Sequence, residues 1–380
     1  MAIDLKSLGA KLVKYRGLLM SSLDDVASST GIDAARLESI ENGQIEPTGD
    51  EVLILADYYR CDFKHFISNE RVAPFEQTET LYRAHGSDFT KEDRRAIQDF
   101  LYLCETEAFL MKEVGMRSKE FNFQPVGTFY KAHGVEAAAK FRIALGHPTH
   151  QVSRDIYSEF RSYGVHVFRR KLGNSNISGV FIMHPTAGKC ALINLSEDVY
   201  RQRFSAAHEM AHAVFDSAQG PSVSYERKQG VDRLEVRANS FASNFLMPPS
   251  FLASLPDPSK WSESETTHWA NELRVSCHAL SIGLKSANLI ESATSDRIRN
   301  LRVPREAKVD PELPATLNPS QRERKIKLIE LGLSDFYVGL CFDAFANGVI
   351  SMGRLAEAML SSQAELGAIA DIYGRSLHGH

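Results

Sequence analysis

Apolar residues recur with helical spacing over most of this chain, and short strand-like runs interrupt them only between about residues 165 and 194. Within residues 1–68, Leu8, Leu12 and Tyr15 keep one stripe. Leu23, Val26 and Ala27 follow, then Leu37 and Ile40. Gly31 ends a short helix that starts near Ser22, and Asp33 caps a second, Ala34 to Asn42, closed by Gly43. The pattern predicts a compact five-helix unit built around a helix-turn-helix, whose second helix can enter a DNA major groove.

Residues 69–150 read as a helical connector. Thr90 caps a long helix with Glu92 and Asp93 in its first turn, and Ile97, Phe100, Leu101, Cys104 and Ala108 hold its period. Ala137 to Leu145 forms another, ended by Gly146 and Pro148. A helix over Val152–Tyr163 then leads to strands at Val165–Phe168, Gly179–Met183 and Cys190–Asn194, predicting a small antiparallel sheet. Two amphipathic helices follow, one through Phe204–Phe215 and one from Leu234 to Met247, stopped by Pro248-Pro249. Residues 293–320 carry Arg297, Arg299, Arg302, Arg305 and Lys308 among four prolines. They read as a basic linker able to touch nucleic acid or an acidic partner. Residues 321–380 are helical again, with a Gly348 turn before a Ser351-capped helix. The fold class expected is α+β and mostly helical, with a sheet-bearing domain over 151–292 between two helical ones.

Charge and cysteine content narrow the setting. The 380 residues carry a net charge of −4 and five scattered cysteines, never in a CxxC pair, which read as free thiols in a reducing cytoplasm. The first twenty residues mix acids and bases and do not read as a signal peptide, and no apolar run reaches the roughly 18 residues a membrane span needs. Residues 1–68 hold seven Lys or Arg against eleven Asp or Glu. DNA contact would therefore rest on a few cations, Arg36 on the second helix and Lys11, Lys14 and Arg16 on the first.

The chemistry concentrates in His208-Glu209-Met210-Ala211-His212. One helical turn places both imidazoles on one face, where they can share a cation, while Glu209 can reach a water beside it. Two histidines leave a catalytic zinc one protein ligand short. Glu235 on the second helix suits that place, because Ala238 and Ala242 allow close approach; Glu226 and Asp232 are its rivals. His166 and His184 are further ligand candidates in the strands. Tyr225 and His184 are candidates for oxyanion stabilisation. Adjacent Cys277 and His278 point about 100° apart on a helix and suit a buried thiol better than a nucleophilic pair.

Two resemblances follow from these residues. Leu37-Glu38-Ser39-Ile40-Glu41-Asn42-Gly43, with Pro47 and Leu53 to Tyr59, resembles the XRE (Cro-like) helix-turn-helix family. The His-Glu-x-x-His helix, with Glu235-x-x-Ala238-Asn239-x-Phe241-Ala242-x-x-Phe245-Leu246-Met247-Pro248, resembles the ImmA/IrrE family of zincin-like metallo-endopeptidases over roughly residues 150–290. Arg237 departs from that pattern, where an acid or a neutral residue is common.

The second resemblance implies Zn²⁺ held by His208, His212 and Glu235, with Glu209 as general base. It also implies a protein substrate, a helix-turn-helix repressor cut in a stress or DNA-damage response. Double-stranded DNA bound through residues 1–68 and a homodimer are further expected partners, and no membrane is. Two alternatives remain: a DNA-binding regulator whose zinc domain senses a signal, and an antitoxin-like interaction protein without metal.

Overall fold

The computed structural model describes residues 3–68, 76–148, 150–225 and 232–377. The chain divides into two compact units, Met1–Glu105 with Leu172–Asn174, and Thr106–Lys171 with Ser175–His380.

The first unit begins with five helices: α1 (Leu5–Leu18), α2 (Leu23–Thr30), α3 (Ala34–Glu41), α4 (Gly49–Tyr59) and α5 (Phe63–Ile67). Ser22 and Asp25 form a capping box on α2, and Asp33 caps α3 through the Ala35 and Arg36 amides. Gly31 links the two with φ +74°, a left-handed conformation that favours glycine. This is the helix-turn-helix the pattern predicts. Beyond α6 (Glu76–His85) runs the long α7 (Lys91–Glu113). Thr90 caps it as expected, with its amide on Asp93 Oδ2 at 2.9 Å and the Asp93 amide on its hydroxyl at 3.1 Å.

The second unit holds a four-stranded sheet, β1 (Val165–Arg170), β2 (Ile177–His184), β3 (Gly188–Asn194) and β4 (Ser222–Tyr225), in spatial order β1-β3-β2-β4. It is mixed, which corrects the antiparallel expectation: β3 pairs antiparallel with β2 but parallel with β1. The six residues between β1 and β2 span the width of an inserted strand, about 10 Å from first to third. The hairpin then returns β3 between its predecessors. Tight-turn signals alone predict sequential pairing and miss this insertion.

Two helices precede the sheet, α8 (Tyr130–Ala144) and α9 (Ile156–Arg161). Helix α9 is shorter than the predicted 152–163. Asp155 caps it, and the Ser153 and Arg154 carbonyls upstream accept from buried Arg203 instead of from helical amides. The pattern predicts a connector over 69–150, yet Ala137, Ala138 and Phe141 of α8 lie in the same core as Phe241 and Phe245. Gly134 makes this packing close. A Cβ there would fall 2.5 Å from the Arg237 carbonyl oxygen.

After the sheet come α10 (Val199–Phe215) and α11 (Arg233–Leu246), whose small buried Ala207, Ala211, Ala238 and Ala242 let them meet. Helices α12 (Pro249–Ala253), α13 (Glu263–Glu272), α14 (Cys277–Ser286) and α15 (Ser292–Arg299) extend this core. The predicted linker is anchored, not loose. Ile298 and Val303 are buried, and buried Arg169 meets Asp310 at 2.8 Å and Glu312 at 3.2 Å. Helices α16 (Pro319–Glu330), α17 (Asp335–Ala346), α18 (Met352–Ala358) and α19 (Leu366–Tyr373) finish the unit, with Tyr337 edge-on to Phe168 of β1. Among the described residues no helix is long and apolar enough to cross a membrane.

Candidate metal centre

Helix α10 buries nearly its whole surface, so its two histidines face protein and not solvent. His208 and His212 bring their Nε2 atoms to 3.1 Å, and Glu235 of α11 lies 3.3 Å from the first and 3.8 Å from the second. The three ligand atoms all lie within 4.8 Å of one another. Zinc binds nitrogen and oxygen at about 2.0–2.2 Å, which in a tetrahedron spaces neighbouring ligand atoms about 3.3–3.6 Å apart. The cluster fits that size.

The tautomers fit as well. His212 Nδ1 lies 2.9 Å from Asp216 Oδ2, and an ionised carboxylate only accepts, so that nitrogen carries the proton. His208 Nδ1 faces Asn239 Oδ1 at 3.1 Å, another acceptor. Both Nε2 atoms then present lone pairs to each other, an arrangement a cation between them relieves and an empty gap does not. Burial disfavours the His212 cation. The Asp216 bond and the Glu209 and Glu235 carboxylates outweigh that and raise its pKa.

Asp216, Asn239 and Arg237 carry this support and escaped sequence reasoning. Arg237, the apparent departure, bonds the other Asp216 oxygen and stacks 4.4 Å over Phe215 and 5.2 Å over Tyr130. Asp216 sits four residues after His212, a helical spacing that could have flagged it.

Glu209 is fully buried between α10 and the sheet, and no group among the described residues meets hydrogen-bond geometry with either of its oxygens. Burial pushes its pKa up; His212, His208 and the Ser224 hydroxyl oppose that, and Glu235 adds to it.

The remaining candidates have other immediate surroundings. Asp232 caps α11 through the Leu234 amide at 2.9 Å, and Glu226 lies outside the described residues. His166 pairs with buried Glu107 at 2.8 Å. His184 Nδ1 accepts from the Ala187 amide at 3.1 Å, and Tyr225 ends β4 opposite Ile177. Cys277 is a buried core thiol, its pKa raised by desolvation.

In the first unit the four candidate DNA-contacting cations are already engaged. Arg16 makes a two-pronged pair with Glu41, both prongs 2.8 Å, and Arg36 likewise grips Glu51. Lys11 donates to the His65 and Ser68 carbonyls at 2.6 and 2.5 Å, and Lys14 pairs with Glu79 at 2.6 Å.

Matches to known families support a helix-turn-helix domain joined to a metallopeptidase-type domain. Residues 12–66 match the helix-turn-helix family and residues 160–285 the IrrE N-terminal-like peptidase domain. The match to that peptidase domain over residues 160–285 implies a divalent metal, usually zinc. The comparison with curated proteins found no match. Among solved structures, PlcR of Bacillus thuringiensis, in complex with the peptide PapR7 and DNA, is similar at 9% identity over 97% of each chain, with a TM-score of 0.17. A likeness that slight carries no argument.

Proposed function

We propose that this chain is a regulatory zinc-dependent endopeptidase that hydrolyses a peptide bond in a protein partner, a helix-turn-helix repressor, in a stress or DNA-damage response. The observation that carries the reading is the gathering of His208, His212 and Glu235 beside the buried carboxylate of Glu209. When bound there, zinc would polarise a peptide carbonyl and acidify a water. Asn239 and Asp216 hold the two imidazoles with Nε2 inward. Glu209 accepts the proton of the attacking water at a carboxylate oxygen and passes it to the departing amine nitrogen. Among the described residues β4 pairs only with β2, so its outer backbone edge can take an extended peptide as a further strand.

Incubating the full chain with the proteins encoded beside it, with and without chelator, tests this. The account expects a chelator-sensitive cut that Glu209→Gln abolishes. A cut made at the wild-type rate by that variant overturns the mechanism.

A DNA-binding regulator whose metal domain senses a signal is the second reading, favoured by the helix-turn-helix match over residues 12–66. A gel shift of the full chain with its own upstream DNA separates the two. The engagement of Lys11, Lys14, Arg16 and Arg36 within the chain weighs against sequence readout by those residues.

A further inference from the structure

Strand β2 gives up its side chain where the metal-bearing helix presses a charge onto the sheet. A Cβ added at Gly179 would lie 2.5 Å from Glu209 Oε1, 3.0 Å from the carboxyl carbon and 3.1 Å from Cγ. Two atoms do not share such space, so the carboxylate occupies the volume that glycine leaves. Across the ladder Gly179 is paired with Ser224 of β4, next to a register shift between Ile177 and Gly179. Ser224 is 5% exposed, and its buried hydroxyl, like both Glu209 oxygens, meets hydrogen-bond geometry with no described residue. Buried polar atoms of this kind are few in a folded protein, and three at one place call for an explanation.

We propose that the Gly179–Ser224 cross-strand pair is the seat of the general base. Gly179 provides the space in which the Glu209 carboxylate lies against β2. Ser224 is the donor that orients one of its oxygens and leaves the other for the reacting proton. Both are positioning residues, and the inference rests on the reading of Glu209 as proton acceptor. Glycine is needed here for close approach, since any side chain would displace the carboxylate. Because Gly179 and Ser224 are directly paired across the ladder, they share one face of the sheet and can meet one charge together.

Two measurements on the full chain test it. In a double-mutant cycle, Gly179→Ala lowers the thermal midpoint with Glu209 present, and most of that loss disappears in a Glu209→Ala background. An equal loss in both backgrounds overturns the contact.

The second measurement is the affinity of the Co²⁺-loaded chain for acetohydroxamate, a small acid that gives up a proton on binding. Glu209→Gln weakens it, Ser224→Ala weakens it by about threefold or more, and Ser224→Thr, which keeps the hydroxyl, restores it. An unchanged affinity in Glu209→Gln overturns the underlying reading of Glu209. A loss in Glu209→Gln with none in Ser224→Ala overturns the seat alone.

Discussion

Arg237 grips the Asp216 carboxylate whose other oxygen accepts from His212 Nδ1, so a residue on α11 fixes the tautomer of a histidine on α10. Removing the middle member leaves Arg237 buried without its partner and the imidazole free to turn. Asp216→Ala is expected to lower affinity for Zn²⁺ or Co²⁺ by about 10–100-fold, as loss of comparable supporting groups does elsewhere. Competition with a chromophoric chelator measures it. Wild-type affinity would remove Asp216 from the site's support.

His184 predicts a pH dependence of stability. It is 3% exposed, and its Nδ1 accepts from the Thr186 and Ala187 amides, which a protonated ring could not do. Burial, with His166 nearby, holds its pKa down at about 4. The unfolded chain binds this proton near pH 6.5 and the folded one does not, so the contribution is complete above 6.5 and lost as pH falls toward 4. Its ceiling is about 3 kcal/mol. Denaturant unfolding at pH 7.5 and 5 should show part of that loss, and His184→Asn should flatten it. Equal slopes in both proteins would contradict this.

Lys11 is expected to act as a structural residue. It satisfies the His65 and Ser68 carbonyls at the end of α5, and Lys11→Met should cost about 1–3 kcal/mol in chemical denaturation of the first unit. Unchanged stability with a fall in DNA affinity would return it to the DNA-contacting set.

Gly134→Ala tests the seating of α8 on α11. Its Cβ would meet the Arg237 carbonyl oxygen at 2.5 Å and the Phe241 amide at 2.7 Å, both backbone atoms that cannot swing aside. Overpacking of this kind costs about 1–3 kcal/mol, and a thermal midpoint within a degree of wild type would contradict it.

What the sequence revealed followed its periodicities. Helical spacing sufficed to put His208 and His212 on one face, and alanines four apart sufficed to bring Glu235 toward them. Relationships made by packing were out of reach. Arg16 meets Glu41 and Arg36 meets Glu51 only after three helices have folded together, so those cations looked free along the chain. The strand order depends on which gap the β2–β3 hairpin fills, which alternation does not encode. Gly179 did leave a signal. An isolated glycine inside a strand marks close approach of another group, though not which group.

The central claim is that His208, His212 and Glu235 hold one metal ion while Glu209 stands beside it as a base. Metal content of the purified chain tests this most directly, measured for wild type, Glu209→Gln and the three single alanine variants at His208, His212 and Glu235. The account predicts about one zinc per chain in wild type and in Glu209→Gln, and a clear loss in each alanine variant. A metal-free wild type, or an equal loss in Glu209→Gln, would contradict it.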